Sequence, residues 1–137
     1  MAKQQEHLDW VDLVRDHGVR SWAETTMRGR LGRNVPQAMF DCWIDLMSSA
    51  NPAVLQRLFQ PIATFDLTPK LSTILTPTLM ITRAGSVLAD SDTVKRWAEA
   101  IPNCRLHIVQ STSYHVAATD AGECATLSLD FLRQLAT

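Results

Sequence analysis

No run of apolar residues in this 137-residue chain approaches the roughly 20 needed to span a bilayer. The opening Met-Ala-Lys-Gln-Gln-Glu-His also lacks the apolar core of a secretion signal. A cytoplasmic protein with no membrane association is therefore expected. Charge of one sign is missing too: 13 Lys and Arg stand against 14 Asp and Glu, a net charge of −1. Such a balance exerts no long-range pull on nucleic acid, and none is expected as a partner. Cysteine is scarce, with Cys42, Cys104 and Cys124 far apart and odd in number. That spacing excludes a disulfide framework and a Cys-x-x-Cys metal pair, and leaves three reduced, partly buried small side chains. His7, His17, His107 and His115 have no ligand spacing either, so neither a metal nor another cofactor is expected. Repeats, low-complexity tracts and linkers are absent. With 46% hydrophobic and 20% charged residues, the chain reads as a single domain, 1–137, able to bury a core.

What is present divides into a helical part, about 1–75, and an alternating part, about 76–137. Leu8, Val11 and Val14 recur at helical spacing with Trp10 alongside, and His17-Gly18 supplies a stop. Trp22, Ala23 and Met27 mark a second helix over 21–28, after which Arg28, Arg30 and Arg33 fall in a glycine-containing stretch read as a solvated loop. Pro36 opens a third helix with the apolar stripe Met39, Phe40, Trp43, Ile44 and Met47. Asn51-Pro52 opens a fourth bearing Val54, Leu55, Leu58, Phe59 and Ile62, and Thr68-Pro69 begins a short turn of helix through Leu71. Stripes of this kind ordinarily pack.

The alternating part carries Leu79-Met80-Ile81 between Pro77 and Gly85, a short apolar run suited to a strand buried on both faces. Asp90-Ser91-Asp92 then reads as a helix N-terminus, followed by Val94, Trp97, Ala98 and Ile101 on one side and Lys95, Arg96 and Glu99 toward water. A second strand holds Leu106, Ile108 and Val109. Beyond it come the Tyr114-His115 loop and a last helix from about Asp120, offering Ala125, Leu127, Phe131, Leu132 and Leu135 to the sheet. Strands joined by a helix of this length lie parallel, so the unit is a βαβ with a closing helix and the fold class is α/β.

Several pieces together resemble the C-terminal half of an α/β-hydrolase, in particular the 3-oxoadipate enol-lactonase-like branch with its helical lid. They are Phe65-Asp66-Leu67 through Leu71 and Ile74 to Pro77-Thr78-Leu79, the helix end from Ala98 to Pro102, and Ser113-Tyr114-His115-Val116 followed by Phe131-Leu132. The resemblance implies a partial α/β-hydrolase fold, lid helices first and the last two strands after. It implies His115 as the descendant of a catalytic base, the alternative being a loop histidine bonded to backbone. It also makes Met39, Trp43 and Phe59 candidates to line an apolar pocket, each otherwise a packing residue.

Two parts of the hydrolase machinery are not matched. No Gly-x-Ser-x-Gly occurs, Gly85-Ser86 being the nearest approach, and a gapless count places Ser86 where the resembling enzymes carry their acid. Serine cannot hold an imidazolium as a carboxylate does. Asp90 lies just beyond, but capping is its simpler reading. The expectation is a hydrolase-like module without catalysis, binding a small apolar molecule or a partner. The alternative is one half of a split lactone or ester hydrolase completed by another chain. The leading strand would have an open edge, which predicts a homo-oligomer or assembly with a separate N-terminal-half chain.

Overall fold

Gly18 marks the break expected of it. The computed structural model describes residues 2–32, 34–62, 64–84 and 89–136, with side chains from residue 9 onward. In it α1 (Ala2–Leu31) is two helices meeting at Gly18, whose φ of 83° and ψ of 168° suit glycine alone. The second piece runs on to Leu31, so Arg28 and Arg30 sit on its last turn rather than in a loop; Arg33 lies outside the described residues. The reason is local. Arg28, though exposed, lies over the Phe40 ring at 4.6 Å, and Arg30 lies over Trp10 and Trp22 at 5.0 and 4.9 Å, so cation–π contacts hold both on the helix.

The chain divides into two compact units, Met1–Arg30 with Val35–Asp66, and Leu31–Asn34 with Leu67–Thr137. In the first, α2 (Gln37–Ser48) starts after Pro36 and buries Phe40 and Ile44. Cys42 points the other way and is exposed, against the expectation of partial burial. α3 (Pro52–Ile62) is capped by Asn51, whose Oδ1 accepts from the Ala53 and Val54 amides at 2.9 and 3.3 Å. Only Phe59 on α3 is buried. Val54, Leu58 and Ile62 form an exposed face at i, i+4 and i+8, because the helix is apolar around more of its circumference than its unit covers.

The second unit is the parallel βαβ. After a 3₁₀ turn (Thr68–Thr73), β1 (Thr78–Arg83) pairs parallel with β2 (Cys104–Val109), in register from Thr78↔Cys104 to Arg83↔Val109. The Thr78 amide donates to the Asn103 carbonyl at 2.9 Å and that of Ala84 to Val109 at 3.4 Å, so even-numbered residues of β1 bond toward β2. The peptide groups of Leu79, Ile81 and Arg83 then face the other edge, where no described strand pairs. With that side open, Leu79, Met80 and Ile81 are half-buried rather than buried on both faces.

A helix covers each face of the pair. α4 (Ser91–Ala100) buries Val94 and Ala98 and leaves Lys95, Arg96 and Glu99 exposed, as patterned. On the opposite face Val116 of α5 (Val116–Thr119) and Cys124 of α6 (Ala121–Leu135) pack with Val109 and Ile81 of the strands. His107 reaches Glu123 at 3.0 Å, and Arg105 lies over Phe131 at 5.7 Å. The α6 contact is made by Cys124, Leu127, Ser128 and Phe131; Ala125, Leu132 and Leu135 are exposed, a correction to the stripe read from sequence. A two-stranded sheet is too narrow to cover a wider face. Among the described residues, no helix is long and apolar enough to cross a membrane.

Candidate functional site

The loop from β2 to α5 is held by a ladder of hydroxyl bonds. Ser111 Oγ and Thr119 Oγ1 each donate to Asp120 Oδ2 at 2.6 Å. The Ser113 amide donates back to Ser111 Oγ at 3.2 Å, and Ser113 Oγ, fully buried, accepts the His115 amide at 3.0 Å. The two hydroxyl donors hold the Asp120 carboxyl below its ordinary range. His115 is thereby fixed as the residue preceding α5, its carbonyl accepting from the Ala118 and Thr119 amides. Its ring is half-buried, with Nε2 wholly inside, and stands edge-on to Tyr114 at 5.4 Å.

Beside this loop lies an open groove of about 380 Å³, lined by Met80, Ile81, Thr82, Ala89, Val94, Trp97 and Tyr114. The βαβ geometry builds it. β1 supplies Met80, Ile81 and Thr82, α4 supplies Val94 and the half-buried Trp97, and the loop held by the hydroxyl ladder supplies Tyr114. Thr82, Trp97 and Tyr114 bring polar groups to a lining whose side chains are otherwise apolar. His115 neighbours the groove through Tyr114 but is not itself part of the lining.

At the end of β1, Arg83 is buried, 8% exposed. Its Nη1 donates to the Thr112 carbonyl at 2.7 Å, and its Nε is buried without an acceptor. Gly32, at φ 78°, presses on the same loop: a Cβ built there would stand 2.6 Å from Thr112 Oγ1 and 2.8 Å from its carbonyl oxygen.

Met39 and Trp43 are half-buried on α2 of the first unit. Phe59 is buried in an aromatic cluster of that unit, 5.6 Å from Trp10 and 5.1 Å from Trp22. Ser86 and Gly85 lie outside the described residues. Asp90 caps α4: Oδ1 accepts the Thr93 amide at 2.8 Å and Oδ2 the Thr93 hydroxyl at 2.9 Å, which also holds its carboxyl low. Among the described residues no group of three His, Cys, Asp or Glu side chains could hold a metal. Sequence reasoning missed Trp97, Tyr114 and Arg83. The first two were legible as an aromatic on an apolar helix side and an aromatic beside the histidine; a buried arginine at a strand end had no signal.

No family model matches this chain, and no curated protein does. Solved structures do. A hydrolase from Oleispira antarctica is similar at 24% identity over 94% of this chain and 47% of its own, with a TM-score of 0.82. The enol-lactonase from Burkholderia xenovorans LB400 is 17% identical, over 92% and 49%, with a TM-score of 0.84. MenH from S. aureus is 17% identical, over 99% and 53%, also at 0.84. The chain thus has a partial α/β-hydrolase fold, spanning about half the length of the structures it resembles.

Proposed function

We propose that this chain is a hydrolase-like module that binds a small apolar molecule in the groove between β1, Trp97 and Tyr114 and does not itself catalyse. The observation that carries the reading is the groove: its volume falls within the usual range for small-ligand sites, and its lining is more apolar than polar. Absence of Gly-x-Ser-x-Gly from the sequence agrees with a role in binding. A neutral fluorescent apolar probe such as Nile red tests it. Titration should raise and blue-shift the probe's own emission, Met80→Arg should abolish the effect, and His115→Ala should leave it unchanged. Probe binding that survives Met80→Arg refutes the assignment to this groove.

A second reading is favoured by two observations, the open edge of β1 and the half-length match to hydrolase structures, one of them an enol-lactonase. In it, the chain is one half of a lactone or ester hydrolase whose nucleophile comes from another chain, with His115 as base. Nitrophenyl acetate hydrolysis separates the two. The binding module turns over no faster than buffer, whereas hydrolysis that appears with a partner chain and disappears with His115→Ala establishes the split enzyme.

A further inference from the structure

We infer that Arg83 is a binding site for a small monocarboxylate, taken by the Nε–Nη2 edge of its guanidinium. Arginine keeps its charge at any physiological pH, so burial cannot be relieved by losing the proton. Here the side chain is 8% exposed and forms no ion pair among the described residues. Asp120, the carboxylate that ties down the β2–α5 loop, is already held by Ser111 and Thr119. On the same face of the sheet Ile81 and Val109 are apolar, and the carboxylate there, Glu123, is engaged by His107 at 3.0 Å. A buried charge without a counterion is strongly unfavourable, which marks this arrangement as incomplete.

The geometry says what completes it. The hydrogen bond through Nη1 to Thr112 fixes the guanidinium plane and occupies one end of it. Nε, buried and without an acceptor, shares its edge with Nη2, and that edge is the side-on fork that takes two carboxylate oxygens in parallel. Water would satisfy the donors but leave the charge; a carboxylate does both. A single negative charge balances a single positive one, whereas a dianionic phosphate leaves an excess. This site stands apart from the groove proposal, since nothing in it requires the groove to be filled.

The test is the Arg Nε–H region of a ¹H–¹⁵N spectrum of the full chain, with Arg83 assigned as the signal missing from Arg83→Lys. Titration with sodium acetate, at ionic strength held constant with chloride, should move that signal saturably, with a midpoint in the millimolar range. In wild type, acetate should raise the thermal midpoint above the chloride control. Arg83→Met should unfold at or above the wild-type temperature without acetate and gain nothing from it. Arg83→Lys, which lacks the fork, should bind at least about tenfold more weakly. Three results overturn the inference: no movement up to about 100 mM acetate, equal movement with chloride, or an acetate effect that persists in Arg83→Met. Movement with phosphate and none with acetate overturns the carboxylate assignment.

Discussion

Two glycines three residues apart have opposite roles. Gly29 is helical with nothing within 4 Å of a built Cβ, so Gly29→Ala should stabilise the chain by about 0.5–1 kcal/mol through the unfolded state. Gly32 combines a positive φ with backbone contact to Thr112, so Gly32→Ala should cost on the order of 1–3 kcal/mol or more. Paired urea denaturations measure both; equal effects would contradict the close approach. Asp120 makes a prediction about acid. Its folded pKa lies below the ordinary 3.8, so its contribution is complete above the unfolded value and is lost as pH falls through the folded one. Wild type should therefore lose stability relative to Asp120→Asn as pH drops below about 4, with the difference constant between pH 5 and 7. Of these details, the Asp90 cap was legible, because aspartate before an amphipathic run has a local purpose. The Asp120 ladder was not, because it joins three separate hydroxyl-bearing positions only after the loop has closed.

At the scale of elements, β1 is where sequence and surroundings disagree. Leu79, Met80 and Ile81 have the composition of a buried strand, yet among the described residues the strand has one partner and is half-covered. Amide exchange should show this residue by residue. In the isolated chain the Leu79 and Ile81 amides, on the open edge, should exchange much faster than those of Met80 and Thr82, which bond toward β2. Equal protection at both sets would mean the edge is covered. α6 shows the same mismatch, with Leu129, Leu132 and Leu135 exposed on one side. Leu132→Gln with Leu135→Gln should change stability by no more than about 0.5 kcal/mol per site. Any self-association through that face should weaken. The existence, order and type of every longer element could be read from period and punctuation. Which side of α3 or α6 is covered could not, since periodicity places residues on a face without supplying what lies opposite.

For the molecule as a whole, an open strand edge together with apolar helix faces favours association. Light scattering at micromolar concentration should give a mass above the 15.3 kDa of one chain, and the Leu132→Gln, Leu135→Gln pair should lower it. A stable monomer at every concentration would remove support for a partner. The candidate site belongs to this scale as well. Its lining is drawn from β1, the stretch after it, α4 and the histidine loop, a set that shares no sequence motif. Met39, Trp43 and Phe59, read as pocket candidates from a resemblance, fall in the other unit, and Phe59 is taken up by Trp10 and Trp22.

The sequence by itself determined the elements and their pairing: a helix stop at Gly18, a cap at Asp90, and two short apolar strands that a helical crossover forces to be parallel. These are local rules, satisfied by neighbours within a few residues or by chain connectivity. Tertiary structure alone decided that Arg83 is buried against Thr112, that Tyr114 and Trp97 face one groove, and that the outer sides of α3 and α6 are exposed. Each of those depends on atoms brought together from distant positions, and burial is a property of what surrounds a residue rather than of the residue.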